Sequence, residues 1–191
     1  TQGVADLALL APNYYAGKYV MNSFRSNTAL FVKATEPQVL ELLLKMEALP
    51  EIEAEFKKFN MAPLVHWILD PAQLELTSDL YSLADFKKKS IKVRSSGGAE
   101  TLLLAKAGLS PVAMPSPEVY MALQTKVLDG TIMHLTSFLS WKWHEVCKYV
   151  VSLNAKEYSG GLRTGLGWIA VNRDSWNKIP KDLQKIILDV S

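Results

Sequence analysis

The sequence predicts an α/β fold, on three observations. Short apolar or alternating runs of strand length recur along the chain. Stretches with apolar residues at helical spacing separate them. With 191 residues, 49% of them hydrophobic and 21% charged, the chain is long enough for one or two domains with buried cores. Strands alternating with helices build a sheet covered by helices, and such sheets bind ligands in the loops at their strand ends.

The first run, "VADLALLA" (residues 4–11), predicts a buried strand closed by Pro12-Asn13, with Tyr14, Tyr15 and Gly17 in the loop beyond it. Residues 35–59 carry Val39, Leu40, Leu43 and Leu44 at helical spacing. Thr35 is the expected cap, Pro37 suits the first turn, and Pro50 divides the stretch into two helices. "APLVHWIL" (62–69) predicts a strand ending at Asp70-Pro71, and residues 82–89 a polar, lysine-rich surface segment. "SIKVRSS" (90–96) alternates, so Ile91 and Val93 face one side of a strand and Lys92 and Arg94 the other. After Gly97-Gly98 a helix is expected over 99–107, up to Gly108, and then a short strand in "PVAMP". In "PSPEVYMALQTKVLDGT" (115–131), Ser116 is the expected N-cap, Pro117 the first helical residue and Glu118 a charge suited to the positive helix end. Val119, Ala122, Leu123 and Val127 form the apolar stripe of that helix. Beyond Asp129-Gly130 and "TIMHLTSF", a helix is expected through Trp143, Val146 and Tyr149. Residues 166–172 read as a strand, Asp174 or Ser175 as the start of a turn, and the last helix begins near Pro180.

Composition removes several classes of function. A net charge of +2 is too small to argue for nucleic acid or an anionic membrane surface. The lysine clusters at 57–58 and 87–89 lie beside acidic residues and read as solvated surface. One cysteine, Cys147, excludes an intrachain disulfide and a four-cysteine zinc site, and its apolar setting predicts a buried, inert thiol. No apolar run approaches the ~20 residues of a membrane helix, and no signal peptide is visible. His66, His134 and His144 lack metal-ligand spacing, so no metal is expected. The Ser95-Ser96-Gly97-Gly98 turn has neither the Gly-x-Ser-x-Gly elbow of a nucleophile nor the Gly-Lys-Thr ending of a phosphate loop. No carboxylate pair is recognisable, so no catalytic residue and no cofactor is assigned.

Arg94 is the strongest binding candidate. It ends a strand just before two glycines and a helix start. A guanidinium can hold a carboxylate through two parallel hydrogen bonds, and the following helix N-terminus adds N–H groups and a favourable dipole. The plainer reading is a surface arginine in a salt bridge. Trp67 and Trp168 in strands, and Tyr14 and Tyr15 in a loop, are core aromatics by default and the wall of a ligand cleft on the sharper reading.

Residues 108–130, "GLSPVAMPSPEVYMALQTKVLDG", resemble the signature of the extracytoplasmic solute receptors of TRAP transporters, the tripartite ATP-independent periplasmic systems. "GVADLALLAPNYYAGKY", "SLADFKKKSIKVRSSGG", "KWHEVCKYV" and "VNRDSWNKIPKDLQKII" resemble further family segments in the same order. The resemblance covers nearly the whole chain. It implies a two-lobed α/β periplasmic binding protein, type II-like, with a ligand cleft between lobes. Residues 1–72 would form part of lobe I, 73–165 lobe II, and 166–191 the return to lobe I. The N-terminal strand and helix and the C-terminal helices of the family are expected to be missing from this chain.

The implied function is that of a periplasmic receptor, not an enzyme, that captures a small organic acid for sodium-coupled uptake by the TRAP membrane permease. It would act as a monomer, with a dimer as the alternative. An α/β enzyme with an anion-binding site is the competing class. The family's carboxylate-binding arginine maps onto Arg94 when counted back from the glycines and onto Lys92 when counted from Asp85; Arg94 is preferred. Ser116, Met133 and His134 would approach the ligand with Tyr14, Tyr15, Trp67 and Trp168, and Arg163 is a second cation to consider. The expected ligand is a monocarboxylate with an apolar or aromatic body.

Overall fold

The computed structural model describes residues 4–15, 17–27, 36–79, 84–86, 90–151 and 166–190. The backbone clusters into two compact units, one of residues 1–28, 36–68 and 166–191, the other of residues 29–35 and 69–165.

Unit 1 is built on a three-stranded antiparallel sheet, β1 (Leu7–Leu10), β8 (Leu166–Asn172) and β2 (Met61–Ile68), with β8 in the centre. β2 carries Pro63 and a register shift between Pro63 and Val65, which an edge strand tolerates because one side of it needs no ladder donor. Helices α1 (Val20–Asn27), α2 (Glu36–Glu47) and α3 (Pro50–Lys58) follow the sequence between β1 and β2. Pro50 starts α3 at a position whose N–H would be idle anyway. From α3, Phe56 meets the buried Trp168 of β8 edge-on, with ring centroids 5.5 Å apart. Glu55 accepts hydrogen bonds from the N–H groups of Met21 and Asn22 and from Asn22 Nδ2, so its carboxylate caps the positive end of α1. After β8, Asn172 caps α7 (Arg173–Lys178) by accepting from the Asp174 and Ser175 N–H groups, and α8 (Lys181–Asp189) follows.

Unit 2 contains a five-stranded mixed sheet in the order β5 (Ser110–Ala113), β4 (Lys92–Ser95), β6 (Gly130–His134), β3 (Ala72–Leu76), β7 (Tyr149–Val151). The first three run parallel and β3 is antiparallel to both its neighbours. One face is apolar: Ala72, Leu74, Leu76, Val93 and Ile132 pack with Phe86, Ile91, Leu104 and Leu109. Leu104 comes from α4 (Gly98–Lys106). On the opposite face Met133 packs with Val119, Ala122 and Leu123 of α5 (Ser116–Gln124), Phe138 of α6 (Leu135–Ser140), and Leu128, Trp143 and Cys147.

Several local expectations are corrected. Pro115, not Ser116, flanks α5, so Ser116 lies inside the helix and makes no cap hydrogen bond. Val127 is exposed beyond the helix end and does not extend its stripe. The segment through Trp143 and Tyr149 is not one helix. It is a 3-10 turn (Trp143–Glu145) followed by β7, because Lys148 N–H bonds Leu76 O and the chain joins the sheet edge. Cys147 is buried as expected, but it lies between that turn and β7. Tyr14 and Tyr15 belong to a 3-10 turn (Pro12–Tyr15). Helix α1, strand β3 and the short helix α7 have no counterpart in the sequence reading. Thr35 and Arg163 lie outside the described residues.

Candidate functional site

The site begins where β4 ends. Gly97 and Gly98 take φ of +101° and +56°, a region that side chains disfavour, and this lets the chain turn from β4 directly into α4. Ser95 and Ser96 are held in that turn by α4. Ser95 Oγ and Thr101 Oγ1 lie 2.7 Å apart, while Ser96 donates its N–H and its hydroxyl to the Glu100 carboxylate at 2.8 and 3.1 Å. Glu100 thus places a negative charge of the helix's own at its N-terminal end, where the sequence reading looked for a ligand anion.

Arg94 has no exposed surface. Its Nε donates to the Met114 carbonyl at 3.0 Å and its Nη2 to Ser116 Oγ at 3.3 Å. The loop from β5 into α5 therefore fixes the fork of the guanidinium from one side, and Ser116 serves the arginine instead of capping its helix. A buried cation held in a defined orientation can recognise a carboxylate with little loss of side-chain entropy. Lys92, two residues earlier on the same strand face, is exposed. Asp129 ties its backbone: Lys92 N–H donates to Asp129 Oδ2 and Asp129 N–H to Lys92 O, both at 2.8 Å. The Asp129 carbonyl also accepts from the N–H and the hydroxyl of Thr77. The Asp-Gly turn is thus a junction that joins the start of β4 to the end of β3.

Met133 and His134 are both buried, but a strand sends neighbours to opposite faces. Met133 enters the core beside α5, whereas His134 pairs with Ala72 and its Nδ1 contacts the Asp70 carbonyl. A carbonyl only accepts, so Nδ1 carries the proton in that contact. The Asp70 carboxylate takes the hydroxyl and N–H of Thr136 in the first turn of α6. Of the sequence candidates, Arg94 and Ser116 come together in a direct hydrogen bond, and Met133 and His134 lie on the same sheet. Trp67, Trp168, Tyr14 and Tyr15 belong to unit 1, where Trp168 is buried, Trp67 half-buried and both tyrosines exposed. Trp67 lies across the backbone of Gly167, where a Cβ would fall 2.3 Å from its ring.

Met114, Glu100 and Asp70 escaped the sequence reading. Met114 acts through a backbone carbonyl, which leaves no trace in residue type. Glu100 was legible in principle, as an acid four residues after Ser96 at a helix start. No group of three or more metal-ligating side chains occurs among the described residues.

The family profile of the bacterial extracellular solute-binding proteins, family 7, matches residues 1–191, and the chain belongs to that family. A solute-binding protein of Albidiferax ferrireducens is 31% identical over 107 residues, 53% of this chain and 29% of that protein. The sialic acid-binding periplasmic protein SiaP of Vibrio cholerae is 36% identical over 93 residues, 48% of this chain and 28% of its own. Among solved structures, a TRAP solute-binding protein of Rhodoferax ferrireducens T118 with copurified benzoate superposes with a TM-score of 0.83 at 25% identity, covering 99% of this chain and 56% of that one. A marine metagenome TRAP protein specific for aromatic acids, crystallised with 3-hydroxybenzoate, gives 0.84 at 22% identity over 98% and 56%. The chain thus spans little more than half the length of these solved relatives. The family is one of periplasmic receptors that bind small ligands, not enzymes. Among the described residues no helix is long and apolar enough to cross a membrane.

Proposed function

We propose that this chain is part of a periplasmic receptor that binds a small monocarboxylate with an apolar or aromatic body and delivers it to a TRAP permease for sodium-coupled uptake. One observation carries the reading: Arg94, fully buried and oriented by Met114 and Ser116 at the end of a central strand. A monoanion matches one buried guanidinium, whereas a second carboxylate would need another buried partner. Benzoate and 3-hydroxybenzoate in the two superposed relatives, and mandelate in another, have this chemistry. Thermal-shift screening of the full-length protein against benzoate, mandelate, succinate and sialic acid tests it, since a ligand that binds only the folded state raises apparent stability. Stabilisation by the aromatic monocarboxylates is expected. Stabilisation by succinate or sialic acid alone would refute the ligand class.

A further inference from the structure

Glu75 lies in the middle of the unit 2 sheet with no exposed surface. Neither of its carboxylate oxygens has a hydrogen-bond partner of good geometry among the described residues, and the same holds for the hydroxyl of Thr131, its partner across β3 and β6. Register places Arg94, Thr131 and Glu75 side by side on β4, β6 and β3, hence on one face of the sheet, and all three are fully buried. Burial pushes the Glu75 carboxyl up to about 9. The N–H groups of Glu75 and Met133 oppose this without offsetting it, and the negative charges of Asp70, ahead of β3, and Glu100, on α4, reinforce it. Cys147, ahead of β7, is a further titratable neighbour. Burial, with a contribution from Glu75, pushes its thiol up to about 12. His134 of β6 is aligned with Ala72 and faces the other side of the sheet.

We propose that Glu75 is a buried proton-binding site that couples the protonation of unit 2 to the capture of an anion at Arg94. The coupling half rests on the Arg94 reading above. Two strand spacings separate the two residues by about 10 Å, and unit charges that far apart at an effective dielectric of ~20 change each other's equilibria roughly tenfold. Holding its proton, Glu75 adds no charge to the Arg94 row. Once discharged, it adds a negative charge that repels an incoming carboxylate.

The sign of the stability effect follows from a folded pKa raised above the ordinary 4.5. Between that value and about 9 the folded state holds a proton that the unfolded chain has lost. The folded-to-unfolded ratio therefore falls as pH rises, about tenfold per unit; the contribution is complete below the unfolded pKa and gone above the folded one. In the full-length protein, urea denaturation across this window should show that dependence in the wild type relative to Glu75→Gln, which is isosteric and carries no proton to lose. Equal pH dependence of the two overturns the proton site. So does a wild-type infrared spectrum without a protonated carboxylic acid band at neutral pH, a measurement that needs no folded variant. For the coupling, benzoate affinity should fall roughly tenfold more in the wild type than in Glu75→Gln on passing from neutral pH to above the folded pKa. An equal fall overturns the coupling. If benzoate fails to bind the wild type at any pH, the proposed ligand class fails and the coupling to it, while the urea and infrared measurements still decide the proton site.

Discussion

Replacing Gly130 with alanine adds one methyl group where the backbone of β3 comes close to that of β6. The new Cβ would lie 2.5 Å from the Glu75 carbonyl oxygen and 2.6 Å from Leu76 Cδ2. The leucine side chain can turn aside. The carbonyl cannot, because Gly130 pairs with Leu76 on β3 and with Val93 on β4, so both neighbouring strands hold it. Relief requires spreading β6 from β3 at the end of their ladder. Overpacking of this kind costs about 1–3 kcal/mol, and a ladder hydrogen bond lost in the process about 1 kcal/mol more, so a loss of about 2–4 kcal/mol is expected. Gly17 is the control. It has ordinary φ and nothing within 4 Å of a built Cβ, so Gly17→Ala should raise stability by about 0.5 kcal/mol through the unfolded chain. Urea denaturation of the full-length protein, followed by tryptophan fluorescence, measures both variants. If Gly130→Ala changes stability by less than about 0.5 kcal/mol, or the two variants shift together, the steric argument is wrong.

Lys126 follows α5 with φ of +61°, and the backbone bonds from Lys126 to Leu123 and from Leu128 to Ala122 close the helix there. Lys126→Gly should therefore stabilise the protein by about 1 kcal/mol, read from the same urea curves; a loss of stability would contradict the left-handed cap. Cys147 is buried and its thiol pushed up to about 12, so a thiol reagent at mildly alkaline pH should label it only as fast as the protein opens. Labelling at the rate of a free thiol would show that the site is open.

Strands at residues 62–69, 90–96 and 166–172 were legible because alternation or a continuous apolar run is what a sheet requires of one or both faces. The two helices divided at Pro50 were legible because proline can start a helix and cannot continue one. Strand β3 was not. Its sequence, Ala-Gln-Leu-Glu-Leu, alternates, but glutamate disfavours a strand and only the fold reveals that Glu75 is buried. Tyr149 failed for the opposite reason: its spacing suits a helix, and pairing with Leu76 decides for a strand. At the site, Arg94 stood out through its place before Gly97-Gly98, and its choice over Lys92 rested on counting residues. The partner that holds its Nε is a backbone carbonyl from a loop twenty residues further on, which no local pattern records.

The central claim is that Arg94 anchors a carboxylate. Calorimetric titration of the full-length protein with benzoate tests it most directly, comparing wild type, Arg94→Ala, Arg94→Lys and Lys92→Ala, with each variant shown to be folded by its near-ultraviolet circular dichroism. Loss of the buried partner of a bound carboxylate should weaken binding by about 2–5 kcal/mol in Arg94→Ala. Arg94→Lys should fall in between, since it keeps the charge and loses the fork. Lys92→Ala, which removes an exposed side chain, should bind as the wild type does. Full binding by Arg94→Ala together with lost binding by Lys92→Ala would contradict the account.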